Sequence, residues 1–187
     1  MSPQKVSNSP CSDVTHQPQQ QQQKFKQTLS ARKIMCTVFW DRYGVLLLDY
    51  RPNGQTINAQ VYCDTLQRLH RAIQNKCRGL LSSGVVLLHD NAHPHMAQQT
   101  TALLQQFCWD IMDQPPYSPD LAPSDYHLFL HMKRFLAGKL FHLDAEVETT
   151  VNNWLQQKAV DFFDTGIQKL VTQYNKYLDS AGDYVEK

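Results

Sequence analysis

At 187 residues, with 18 lysines and arginines against 17 aspartates and glutamates, the chain suits one domain whose core is large enough to fold without covalent staples. A net charge of +1 excludes a uniformly basic nucleic-acid-binding surface, so any basic patch has to be local. No apolar run approaches the roughly 18 residues of a membrane span and the N-terminus lacks a signal-peptide core, which predicts a soluble intracellular protein with no membrane partner.

Residues 1–30 form a separate compositional block. It contains HQPQQQQQ (16–23), many Ser and Gln, and almost no large apolar side chains. Such a segment buries too little surface to offset its ordering entropy, so it is expected to be a disordered Gln-rich leader, with the folded domain at 31–187. From Lys33 the pattern changes. IMCTVFW (34–40) and VLLLDY (45–50) read as strands joined by the tight turn DRYG (41–44). Ile57, Val61, Leu66, Leu69 and Ile73 then follow a helical period to about Lys76.

GVVLLHDN (84–91) is a short continuous apolar run, typical of a strand covered on both faces. Met96, Thr100, Leu103, Leu104 and Phe107 mark one stripe of a helix, and WDIMDQPP (109–116) reads as a short strand ending in a Pro-rich turn. YSPDLAPSDYHLFLHMKRFL (117–136) combines an irregular Pro loop with a helix start. There Ser124 is the expected N-cap and Asp125 falls in the first turn, while Leu128, Phe129, Met132, Phe135 and Leu136 face inward. Two further helices carry stripes at Val147, Val151, Trp154 and Leu155, and at Ile167, Leu170, Val171 and Tyr174. This order predicts an α/β domain with a mixed sheet and flanking helices.

The five cysteines (Cys11, Cys36, Cys63, Cys77, Cys108) are scattered and contain no CxxC pair, as expected of reduced thiols in the cytosol or nucleus. The chemistry concentrates in HDNAHPHMA (89–97). Ligands of α/β sheets bind outside the carboxyl ends of strands, and Asp90 stands at such an end. Asp125 opens a helix after the next strand, with 34 residues between the two acids. A hard divalent cation takes oxygen ligands, and two ions about 3.5–4 Å apart can clamp a phosphodiester. A strand-end Asp is also a common turn former, so these residues alone leave both readings open. Neither His93 nor His95 has a Cys or His partner at zinc spacing, which argues against a zinc site.

Taken together, HDNAHPHMA, the 34-residue gap and YSPDLAPSDYHLF (117–129) resemble the second half of the catalytic site of mariner transposases, the DD34D type of the Tc1/mariner superfamily. MCTVFWDRYGVLLLDYRPNGQTINAQVYCDTLQRL resembles the hairpin and helix that precede the second Asp, and GIQKLVTQYNKYLDSAGDYVEK resembles the family's C-terminal end. The resemblance covers about residues 30–187. The mariner half of SET-domain/mariner fusion proteins looks similar, although nothing here resembles a SET domain. The resemblance implies an RNase H-like fold, metal-dependent DNA strand cleavage and transfer, Mg²⁺ or Mn²⁺ as cofactor, DNA as partner and the nucleus as location. It leaves a homodimer open. It makes Asp90 the second and Asp125 the third catalytic, metal-binding acid, with His89 and Asn91 as neighbours.

The same resemblance implies a first strand at the centre of the sheet, between the hairpin and the Asp90 strand, with the first Asp in a segment like G-D-E-[KR]-W. No such segment occurs in the sequence. Its absence would leave two sheet edges facing a gap. Before Asp90 the acids are Asp13 in the leader, Asp41 in the hairpin turn, Asp64 on the following helix and Asp49, which lies nearer the right end but on a strand not adjacent to Asp90. The expectation is a transposable-element-derived domain that lacks this first, central strand and the family's helix-turn-helix modules, and is inactive alone. Two alternatives stand beside it: a domesticated DNA-binding or dimerisation module without enzymatic activity, and a nuclease that takes its first carboxylate from Asp49 or another chain. Lys133, Arg134 and Lys139 beside the Asp125 helix are candidate phosphate contacts, against an ordinary solvated helix face.

Overall fold

The computed structural model describes residues 34–52, 54–76, 84–112 and 114–179, which fall within one compact unit, Arg32–Lys187. The expected Gln-rich leader lies outside the described residues. The chain opens with a hairpin of β1 (Met35–Asp41) and β2 (Gly44–Arg51), paired antiparallel with a register shift between Phe39 and Trp40. Its turn closes on the Asp41 carboxylate, whose Oδ1 accepts the backbone N–H groups of Tyr43 at 2.8 Å and Gly44 at 3.0 Å.

Helix α1 (Ala59–Lys76) follows, started by Asn58, whose side-chain oxygen accepts the Val61 N–H at 2.9 Å. Its apolar side buries Tyr62, Cys63, Leu66, Leu69 and Ile73. Strands β3 (Val86–Leu88) and β4 (Asp110–Met112) pair in parallel, Val86 opposite Asp110 and Leu88 opposite Met112. Between them the single helix expected at 96–107 is two: α2 (His93–Met96) and α3 (Gln98–Gln106). Ala97 breaks them apart with an extended ψ of 142°, and the Thr100 hydroxyl donates to the Pro94 carbonyl at 2.7 Å across the break.

The Pro loop leads through a 3₁₀ turn (Pro119–Leu121) into a π-helical segment, Ser124–Phe129, which continues as α4 (Leu130–Leu136). Asp125 is in the first turn, as expected, but Ser124 is not the cap. The helix starts from Pro123, and Ser124 Oγ instead accepts the indole N–H of Trp40 at 3.1 Å. Helices α5 (Asp144–Gln156) and α6 (Val160–Asp179) complete the described chain. On α6 the inward positions are Phe163 and Gly166, whereas Val171, expected inward, is 65% exposed.

The class is α/β, and among the described residues the strands form two two-stranded sheets, with no ladder between β1–β2 and β3–β4. Two apolar clusters hold them. Tyr62, Leu66, Leu69 and Ile73 of α1 pack with Leu87, Leu104 and Trp109, and Phe39, Leu46 and Leu47 of the hairpin lie against them. Leu128, Val151, Trp154, Leu155 and Phe163 form the second cluster, contacting Val38, Trp40, Val45 and Leu48. The hairpin thus divides its side chains between two cores, and a fully buried Leu such as Leu66 or Leu128 contributes about 1.5–3 kcal/mol. No helix among the described residues is long and apolar enough to cross a membrane.

Candidate functional site

β3 ends at Leu88, and Asp90 follows at the carboxyl end of the parallel pair. The Asp90 carboxylate folds its own turn, Oδ1 accepting the Ala92 N–H at 3.1 Å. His95 Nδ1 lies 2.6 Å from the same Oδ1 and 3.2 Å from the Asp90 carbonyl, while 69% of the Asp90 side chain stays open to solvent. Behind this acid sits a ring cluster. The Tyr62 hydroxyl and His89 Nδ1 are 2.9 Å apart, the rings of His89 and His95 stack at 5.1 Å, and Tyr62 lies 4.0 Å from His95 between centroids. Burial, with His95 beside it and against the pull of Asp90, pushes His89 down to about 4, so it is neutral at pH 7.

Asn91 fastens the opposite wall, donating from Nδ2 to the Gln114 carbonyl at 2.8 Å. Gln114 in turn donates from Nε2 to the Ser118 carbonyl at 3.1 Å, closing the Pro loop. At its apex Tyr117 is 92% exposed with φ of +57°, a backbone region costly for an aromatic residue. Asp125 then enters from the π-helical segment. Asp90, Asn91, Gln114, Tyr117, Ser118 and Asp125 line one pocket of about 430 Å³. Burial pushes the Asp125 carboxyl up, the charge of Asp90 adds to it, and Lys133 opposes both. The two acids that the sequence singled out therefore face one space and repel each other electrostatically.

That donor set suits a hard cation: two carboxylates bring oxygen and negative charge to one solvent-reached pocket, and a divalent ion there would relieve the repulsion felt by Asp125. Of the acids before Asp90 that the sequence offered, Asp13 lies outside the described residues and the other three do not line this pocket. Asp41 serves the hairpin turn, and Asp64 on α1 accepts from Gln60 Nε2 at 3.0 Å. Asp49 is 5% exposed and saturated by Thr65 Oγ1 at 2.9 Å, Arg68 Nη1 at 2.8 Å and Arg51 Nη2 at 2.9 Å. Burial pushes the Asp49 carboxyl up, but Arg68, Thr65 and Arg51 outweigh it and hold the group below its ordinary value. Among the described residues, no group of three or more His, Cys, Asp or Glu is placed to hold a metal ion.

Sequence reasoning missed the Tyr62–His89–His95 cluster, since the α1 stripe was traced through Val61 and nothing local links Tyr62 to His89. It also missed the clamp on Asp49. Lys133, Arg134 and Lys139 are exposed, with Lys139 Nζ held 3.2 Å from the centroid of the Phe135 ring.

A family model described as transposase (partial DDE domain) matches residues 5–83, starting inside the Gln-rich segment. The chain is 36% identical over 157 residues to the mariner Mos1 transposase of Drosophila mauritiana, covering 83% of this chain and 46% of that protein. It is 34% identical over 162 residues to the human histone-lysine N-methyltransferase SETMAR, covering 86% of this chain and 24% of that protein. The chain thus spans less than half the length of either relative. A solved structure of the Mos1 transposase catalytic domain with raltegravir and Mn superposes with a TM-score of 0.80 at 37% identity, covering 83% of this chain and 78% of that one. The fold is therefore the RNase H-like α/β class that the sequence implied.

Proposed function

Because this chain belongs to the mariner transposase family, in the region of its catalytic domain, we propose that it is a transposable-element-derived domain that binds a divalent cation but is inactive in DNA cleavage by itself. Its ancestry lies in DNA transposition. The observation that carries the reading is the meeting of Asp90 and Asp125 on one pocket. These two carboxylates would hold Mg²⁺ or Mn²⁺, with His95 orienting Asp90 and Lys133 beside Asp125. A bound cation of this kind supplies Lewis acidity to a phosphodiester and activates water.

Strand cleavage with two ions needs more than these acids give. Two carboxylates under-neutralise two divalent charges, and Asp49, the acid that sequence reasoning weighed as a substitute, is already neutralised by Arg68 and Arg51. Reacting groups left about 1 Å out of place lose roughly 10²-fold in rate. The reading puts the protein in the nucleus with DNA as its partner, and sedimentation would show whether it acts as a homodimer.

The test is a supercoiled-plasmid assay with residues 1–187 and Mg²⁺ or Mn²⁺, alongside calorimetric titration of each metal. The expected result is cation binding that Asp90→Ala and Asp125→Ala remove, with no nicking. Nicking that disappears in Asp90→Ala would overturn the inactive reading, and metal binding unchanged in both variants would overturn the assigned ligands.

A further inference from the structure

Asp90 offers a cation less than its two carboxylate oxygens suggest. Each oxygen of an ionised carboxylate has about two lone-pair sites. Both sites of Asp90 Oδ1 are taken inside the protein, by the Ala92 N–H at 3.1 Å and by His95 Nδ1 at 2.6 Å. The same Nδ1 lies 3.2 Å from the Asp90 carbonyl. Both of these partners are acceptors, so the imidazole carries a hydrogen on Nδ1 and donates it. Among the described residues Oδ2 has no hydrogen-bond partner, which makes it the oxygen left for a ligand.

His95 is held in this place from behind. Its ring lies 4.0 Å from the ring of Tyr62 and stacks on His89 at 5.1 Å, with the two imidazole planes 6° apart. Tyr62 is buried on α1, and its hydroxyl ties it to His89 Nδ1. The backbone is fixed as well, since the Ala92 carbonyl accepts the N–H groups of His95 at 2.8 Å and Met96 at 3.1 Å.

We propose that His95 is a selectivity residue: it locks Asp90 into a one-oxygen ligand and so favours a small divalent cation over a large one. The inference rests on the cation reading above and deepens it. Mg²⁺ takes about six ligands at roughly 2.0–2.1 Å, keeps several waters and needs one oxygen from a carboxylate. Ca²⁺ takes roughly six to eight oxygens at about 2.3–2.6 Å and gains from a carboxylate that chelates through both of them. With Oδ1 occupied, the Asp90 chelate is closed to Ca²⁺, while Mg²⁺ gives up nothing.

The experiment is calorimetric titration of residues 1–187 with Mg²⁺ and with Ca²⁺, in the wild type and three variants. His95→Phe keeps a ring against Tyr62 and His89 but removes the donor. His95→Asn gives up the ring and keeps an N–H donor near the position of Nδ1. Ala92→Pro leaves His95 in place and removes the other donor to Oδ1, at a native φ of −61° that proline shares. It decides the case where the Phe ring does not fit.

The wild type is expected to prefer Mg²⁺. His95→Phe and Ala92→Pro should each move the affinity ratio toward Ca²⁺, by roughly tenfold for His95→Phe, and His95→Asn should stay near the wild type. A wild type that prefers Ca²⁺, or a ratio unmoved in His95→Phe or in Ala92→Pro, would overturn the proposal. So would a ratio moved as far in His95→Asn, because the ring rather than the donor would then be the cause. The cation reading fails by a different sign: no heat with either metal, or binding indifferent to Asp90→Ala and Asp125→Ala, overturns it and takes this inference with it.

Discussion

Asp49 and Asp125 show how environment assigns opposite roles to the same side chain. Asp49 is buried and clamped by two guanidinium groups and a hydroxyl, so its ionised form belongs to the fold. Its carboxyl is held below the ordinary value, and its stabilisation is therefore present above the ordinary carboxylate range and lost as pH falls through the depressed value. Asp49→Ala leaves Arg51 and Arg68 without their anion and is expected to cost about 3 kcal/mol in urea denaturation, the low end for a broken buried pair because Arg68 reaches solvent.

Asp125 is pushed the other way, so its ionised form costs the apo fold stability at neutral pH. Asp125→Asn should leave Tm at pH 7 unchanged or higher, a gain that closes below the ordinary carboxylate range where both proteins are neutral there. The same variant should lose the cation effect: about 2.7 kcal/mol of stabilisation at a hundredfold excess of Mg²⁺ over Kd in the wild type, and none in the variant. His89 adds a third titration. Lowered from 6.5 to about 4, it binds its proton in the unfolded chain before the folded one, so stability falls as pH drops from 6.5 toward 4. A Tm-against-pH profile should flatten over that window in His89→Gln.

At the scale of elements, the seating of α6 on the π-helical segment decides where Asp125 stands. Tyr126 donates from its hydroxyl to the Gly166 carbonyl at 2.7 Å, and His127 Nε2 meets the Phe162 carbonyl at 2.8 Å. A Cβ on Gly166 would fall 2.6 Å from His127 Cδ2 and 3.0 Å from Trp40 Cη2. His127 is buried and pinned, so it cannot yield as a flexible side chain would. Gly166→Ala gains up to about 1 kcal/mol in helix propensity but meets an overpacking cost of about 1–3 kcal/mol, so a net loss is expected. Because the strain lands one and two residues from Asp125, Mg²⁺ affinity should fall in the same variant, which calorimetry reads directly.

Elements of this length were legible where one period runs far enough to define a face. The α1 stripe and the hairpin come from local apolar spacing, whereas Asp90 and Asp125 were only candidates by position at a strand end and a helix start until the family resemblance paired them. What local spacing does not encode is partner choice across the chain. Ser124 reads as a cap until Trp40, 84 positions away, takes its hydroxyl. The break at Ala97 and the outward turn of Val171 likewise depend on contacts that form only once the helices are packed.

For the whole molecule, the balance of charge sets what DNA binding can look like. A net charge of +1 supplies no general attraction, and Asp90 and Asp125 make the pocket itself repel phosphate. The proposed source of attraction is Lys133, Arg134 and Lys139, which lie exposed on and just after α4. As the proposed phosphate contacts, they would position a duplex without reading its bases. Three such contacts predict a slope of about −2.7 for log affinity against log salt, falling by roughly 0.9 for each cation removed. Lys133→Ala should weaken binding to unrelated duplexes alike, by fluorescence anisotropy over a salt series. At constant ionic strength, Mg²⁺ should raise affinity by cancelling the charge of Asp90 and Asp125, and Asp125→Asn should blunt that gain. A duplex preferred over an unrelated one at physiological salt, or a slope unmoved by Lys133→Ala, would show that the DNA contact lies elsewhere on the chain.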